Sequence, residues 1–158
     1  MAAHMALPFD HIGEPAIWGL PKTTFLCSRK VPAAQVLKCY DWAIAMREAG
    51  QCVMLGAHSQ LEKDVLHYLL KGAQPLMLVL ARGMMERLDP AIKNEVAKGR
   101  LLVVAPFGDH VRRVTAETAA ARNRFMLHHA VSVVVGHADP SGSLKKQLAN
   151  LKIPVTYL

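Results

Sequence analysis

Short apolar runs set at helix-length intervals constrain this chain more than any other feature. Thr23 to Cys27, Cys52 to Leu55, Pro75 to Leu80, Leu101 to Ala105, Ala130 to Gly136 and Pro154 to Leu158 contain no charged residue. A strand with one wet face alternates polar and apolar residues, whereas a strand buried on both faces is apolar throughout. The segments between the runs are long enough for helices and too long for hairpin turns, so successive strands are joined by crossovers and run parallel. The expectation is an α/β fold: a Rossmann-like doubly wound, mostly parallel sheet with helices on both faces.

The helix signals agree. Apolar positions Val36, Leu37, Tyr40, Ala43, Ile44 and Met46 follow the helical period from about Ala33 to Ala49, and Gly50 ends the segment. Ser59 with Glu62 three residues later reads as a capping box opening a helix that runs to about Lys71 before Gly72. Pro90 starts a helix ending at Gly99, Thr115 to His129 forms another, and Ser141 caps a short one through Leu151. Residues 1–21 stand apart: Met1 to His4 read as an expression remnant ahead of a native Met5. From there to residue 21 the prolines and glycines predict an extended lead-in anchored by Trp18 and Leu20. Residues 22–158 are expected to form one domain.

No apolar run reaches the roughly 18 residues of a membrane span, and the N-terminus lacks the layout of a signal peptide. A cytoplasmic protein with no membrane association is therefore expected. Cys27, Cys39 and Cys52 are widely spaced in apolar segments and read as reduced core thiols. The histidines show no ligand spacing, and His128 and His129, being adjacent, point in different directions from a helix. No metal and no cofactor is expected. A formal charge of +7 and a pI near 9.6 favour a polyanionic partner, because phosphates bound to a positive surface release counterions.

In open parallel sheets, ligands bind beyond the carboxyl ends of the strands where the winding reverses. Three turns fall there: Ser28-Arg29-Lys30, Gly56-Ala57-His58-Ser59, and Gly136 through Ser143 with His137, Ser141 and Gly142. They offer small residues for close backbone approach, hydroxyls, helix N-termini and cations. Arg122, Asn123 and Arg124 arrive from the helix before the fifth apolar run, and Lys145 and Lys146 follow one turn after Ser141. The combination suits phosphate. Simpler roles stand beside it: Arg29 pairing with a carboxylate such as Asp41, Lys30 as a surface charge, Ser59 as a cap, and Met84, Met85 and Met126 as packing or dimer-contact residues.

Ser28-Arg29 after the first run, the Gly56 turn, Arg122-Asn123-Arg124, and Ser141-Gly142-Ser143 together resemble the Rossmann core of the DprA (Smf) family of DNA-processing proteins. The resemblance extends from about Thr24 to Leu158. It implies single-stranded DNA binding in a positive pocket lined by Ser28, Arg29, Gly56, Arg122, Arg124, Ser141, Gly142 and Ser143. It also implies a homodimer, a role in DNA processing and recombination, and engagement of a RecA-type recombinase. The sequence departs from the family where Leu55-Gly56-Ala57-His58 replaces a glycine-richer second turn and where Lys145-Lys146 occupies the last helix start. A second reading is a nucleotide or nucleotide-derivative sensor of the related LOG-like proteins. In that group's phosphoribohydrolases a catalytic Glu stands where this chain has Lys146, and a lysine cannot replace a carboxylate, so a non-enzymatic protein is expected.

Overall fold

The computed structural model describes residues 7–158. Met1 to His4 and Met5, assigned above to the remnant and the native start, lie outside the described residues. Among the described residues seven strands form one sheet: β1 (Asp10–Gly13), β2 (Thr23–Leu26), β3 (Val53–Leu55), β4 (Leu76–Val79), β5 (Leu101–Ala105), β6 (Ser132–Val135) and β7 (Val155–Tyr157). Their order across the sheet is β1-β5-β4-β3-β2-β6-β7, and every pairing is parallel except that of β1 with β5. From β2 the chain winds outward through β3, β4 and β5, then returns to the other side of β2 for β6 and β7. The winding reverses between β2 and β6, and a crevice opens there at their carboxyl ends.

The apolar strands are buried on both faces, as their composition demands. Successive side chains in a strand point to opposite faces, so each strand feeds two cores. Phe25, Val53, Leu55, Leu76, Leu78, Leu101 and Val103 face α1 (Ala33–Ala49), α2 (Gln60–Leu70) and α3 (Pro90–Ala97). Leu26, Met54, Met77, Val79, Leu102, Val104 and Val133 face α4 (Ala116–His129), α5 (Ser143–Leu148) and the N-terminal segment. Apart from β5, which matches its run residue for residue, the strands are one to three residues shorter than the apolar runs that announced them, since run ends serve as crossover backbone. Cys27 and Cys52, for example, fall just outside β2 and β3.

The N-terminal segment differs from expectation. It contributes β1, antiparallel to β5 in the register Asp10 with Ala105, and a 3-10 helix over Pro15–Gly19. Its glycine and proline are edge devices rather than breakers. Gly13 takes φ +109°, and a Cβ there would stand 2.1 Å from the Leu101 carbonyl oxygen, so only glycine permits the approach that closes the open edge of β5. The anchors also change. Ile17 is the buried residue, Trp18 packs against Phe9, Phe125 and His129, and Leu20 is 38% exposed.

Two further corrections concern helices. Leu37 faces water at 65% exposure, while Cys39 and Ala43 make the buried stripe of α1. At the last helix Gly142, not Ser141, is the N-cap, and the helix ends at Leu148 with Ala149 extended, short of Leu151, before Asn150 turns at φ +62°. The Ser141 hydroxyl and backbone N–H instead donate to Asp139 Oδ1 at 3.0 and 3.1 Å, a local turn that competes with capping. No helix among the described residues is long and apolar enough to cross a membrane.

Candidate anion-binding cleft

Beyond β2 the chain is fixed by Ser28. Its backbone N–H donates to the His137 carbonyl at 2.8 Å, and its Oγ accepts the Asp139 N–H at 2.8 Å, so the turn after β2 is bound to the turn after β6. Arg29, next along, is exposed, and its Nη2 lies 3.1 Å from Nε2 of His58 in the turn after β3. A guanidinium can only donate, so in this contact His58 Nε2 is the acceptor. Two of the three anticipated turns thus meet through Arg29 and His58.

The floor is made by Glu62 and Arg122, with Gly56 buried behind their side chains rather than in the lining. Ser59 Oγ accepts the Glu62 N–H at 3.2 Å and Glu62 Oε1 accepts the Ser59 N–H at 3.1 Å, completing the capping box that the sequence signalled. The second carboxylate oxygen of Glu62 lies 3.7 Å from Nη2 of Arg122, with both side chains under a tenth exposed. Arg122 also donates from Nε to Asn123 Oδ1 at 3.2 Å. Burial lowers the proton affinity of this guanidinium, and the Glu62 carboxylate opposes that shift. Space for the guanidinium exists because residue 56 has no side chain: a Cβ there would stand 2.0 Å from Arg122 Nη1.

These groups enclose a cleft of about 360 Å³ lined by Ser28, Arg29, His58, Ser59, Arg122, Asn123 and Ser143, with Cys27, Glu62 and the α4 start from Val114 to Ala120. The N-termini of α2 and α4 both open onto it, and each adds the positive end of a helix dipole. The Glu62 carboxylate cancels one of the two guanidinium charges. Arg29 therefore stands as the uncompensated cation at the mouth, while Arg122 is a buried ion-pair member beneath it.

Other sequence-proposed residues sit elsewhere. Arg124 is exposed and does not line the cleft, because residues two apart on a helix point roughly 200° apart and Arg122 has taken the inward position. Lys30, Ser141 and Lys145 are exposed outside the lining, as is Lys146. Ala57 faces a different cavity between α2 and α3, and Gly136 is buried against the sulfurs of Cys39 and Cys27. His137 supplies its backbone carbonyl to Ser28, and Gly142 only the cap of α5. The two Ser141 hydrogen bonds hold the Asp139 carboxyl below its ordinary range, and nearby Lys30 adds to that shift. All three cysteines are free, but Cys27 is half-buried at the cleft rather than in the core.

Glu62, Thr115 and the small residues Ala116, Ala119 and Ala120 complete the lining without having been anticipated there. The signal for Glu62 was present. A capping-box glutamate lies at a helix N-terminus, and in this fold such termini point at the crevice.

No protein-family profile matches the sequence, and no curated protein matches it significantly. Solved structures do resemble it. DNA processing protein A (DprA) from Helicobacter pylori, described for its single-stranded DNA binding mode, superposes with a TM-score of 0.72 at 13% identity, over 93% of this chain and 69% of that one. DprA from Streptococcus pneumoniae gives 0.72 at 16% identity, over 93% of this chain and 53% of its own, so this chain spans about half of that relative. The Moco carrier protein of Chlamydomonas reinhardtii follows at 0.54 and 13%, over 87% of this chain and 74% of that one. The fold of this chain is that of the DprA Rossmann core.

Proposed function

We propose that the chain is a DprA-like, non-enzymatic single-stranded DNA-binding protein that holds the strand by a phosphate group in the cleft at the β2–β6 reversal. The observation that carries the reading is the convergence of Arg29, His58, Ser59 and the start of α4 on one cleft with an uncompensated guanidinium at its mouth. Phosphate contacts of this kind position a strand without reading its sequence, so discrimination between bases is expected to be small. The fold shared with the H. pylori protein, which binds single-stranded DNA, supports the same reading. Both carboxylate oxygens of Glu62 are engaged, which fits an anchoring role better than an acid–base one. Self-association, recombination and recombinase engagement belong to this proposal as well.

The cleft volume favours a second reading. About 360 Å³ is near the lower end of small-molecule pockets and suits one nucleotide better than a strand segment. A free nucleotide or nucleotide derivative is the alternative ligand. The two separate in one experiment: fluorescence anisotropy of labelled oligo-dT and competition by free nucleotides across a salt series, with Arg29→Ala beside the parent. Steeply salt-dependent oligonucleotide binding that Arg29→Ala abolishes supports the strand; tight mononucleotide binding with no gain on lengthening supports the sensor. Binding unaffected by Arg29→Ala contradicts both.

A further inference from the structure

A second basin opens on the same rim of the sheet, beyond the carboxyl ends of β4 and β5. Arg82 and Arg87 from the loop after β4 and Arg112 from the loop after β5 line a cavity of about 740 Å³, together with Met84, Met85, Glu86 and Asp109. The two loops are locked together. Gly83 N–H donates to the Val111 carbonyl at 2.8 Å, and a Cβ on Gly83 would stand 2.6 Å from the Gly108 carbonyl oxygen. The arginines are therefore carried on a fixed frame rather than on free loops.

Three ion pairs form among the described residues, and none involves Arg82, Arg87 or Arg112. The carboxylates of Glu86 and Asp109 share the basin, yet neither comes within ion-pairing distance of a guanidinium. Arg82 Nε donates only to the neighbouring Gly83 carbonyl, at 3.2 Å. Contrast Arg100 and Arg122, whose guanidiniums are buried and paired. Three guanidiniums against two carboxylates leave the hollow with a net positive charge, and with none of the three held in an ion pair their donors remain open to the oxygens of an anion.

The basin and the cleft share a wall. Asp109 and Arg112 face the basin while Val114, Thr115 and Ala116, a few residues on, face the cleft, and exposed Arg113 lies between them in sequence. We infer that the Arg82–Arg87–Arg112 basin is a second phosphate station, which takes the backbone of the same single strand where it crosses the 109–116 wall out of the cleft. This inference rests on the strand-binding reading and deepens it. One station grips a nucleotide at the β2–β6 reversal; the other adds affinity only for a ligand long enough to reach it.

The test compares oligo-dT of about 4 and about 12 nucleotides, lengths that fall at the short end and well within the range of about 4–16 nucleotides seen for single-strand sites. Parent, Arg82→Ala/Arg112→Ala, Arg29→Ala, Asp109→Asn and a surface-charge control, Lys38→Ala/Lys152→Ala, are titrated across a salt series. The double arginine variant is expected to lose roughly tenfold affinity for the longer oligonucleotide and to keep that for the shorter one. Its log–log salt slope should flatten by about 1.4, since each phosphate contact on a single strand contributes about 0.7. Asp109→Asn should tighten only the longer oligonucleotide, and the lysine control should leave the length advantage intact. If Arg29→Ala weakens both lengths while the double arginine variant retains the full length advantage and slope, the second station is wrong and the cleft stands. If the parent binds neither length, the strand-binding reading fails and the station falls with it.

Discussion

The guanidinium of Arg122 occupies the space above Gly56 where a side chain would begin: a Cβ on residue 56 would stand 2.0 Å from Nη1 and 2.5 Å from Cζ. The glycine's role at this position is steric. A crossover turn from one strand and a helix reaching in from the far side of the sheet meet only because the turn is bare.

Gly56→Ala should therefore displace Arg122 and stretch its pairing with Glu62. Overpacking of this kind costs about 1–3 kcal/mol, read as a shift in the denaturation midpoint at constant m-value. Combined with Arg122→Ala, which removes the clashing guanidinium, the penalty should fall well short of the sum of the two single changes. Additive penalties would mean that the two residues do not press on one another.

Arg100 marks the opposite use of a buried arginine. It donates to the carbonyl oxygens of Leu69, Leu70 and Gln74, at 2.5, 2.9 and 2.7 Å, and pairs with Glu95 at 3.3 Å, closing the C-terminal end of α2. Arg100→Ala takes a donor from the Leu70 and Gln74 carbonyls and leaves Glu95 with Lys98 alone, for an expected loss of about 1–3 kcal/mol in chemical denaturation. Oligonucleotide affinity per folded molecule should not change. The reverse is expected of exposed Arg29→Ala, which should leave stability within about 0.5 kcal/mol.

Tyr40 on α1 donates its hydroxyl to Asp64 Oδ2 on α2 at 2.6 Å, and that bond raises the phenol from its ordinary 10.0 to about 12. The neutral form is the one stabilised, so the tie is fully present below pH 10 and is lost as pH rises toward 12. Ultraviolet titration should show one tyrosine ionising late, and Tyr40→Phe should remove that component. The variant is expected to lose about 1 kcal/mol near neutral pH, since the bond is partly solvated, and to match the parent in strong alkali.

Much of this was legible in the chain. Uncharged runs require strands covered on both faces, and Ser59 with Glu62 announced its capping box to the residue. What could not be read was anything set by approach between distant segments. The pairing of Asp10–Gly13 with β5 depends on Gly13 meeting Leu101, and nothing local distinguishes such a glycine from a loop breaker. Within the Arg-Asn-Arg triplet, sequence treats both cations alike; the helix period sends Arg122 inward to Glu62 and Arg124 out to water. Ser141 is not the cap because its hydroxyl and N–H both donate back to Asp139, which holds it in the turn ahead of Gly142.

Backbone-amide NMR during titration with oligo-dT tests the central claim most directly. Shifts are expected at Ser28 and Arg29, at Ser59 through Glu62, and from Thr115 to Asn123, the segments that bound the cleft, with the 109–113 wall joining them as the oligonucleotide lengthens. Shifts confined to the opposite rim, around Gly50, Gln51 and Val131 where the strands begin, would contradict a binding site at the carboxyl ends of β2 and β6.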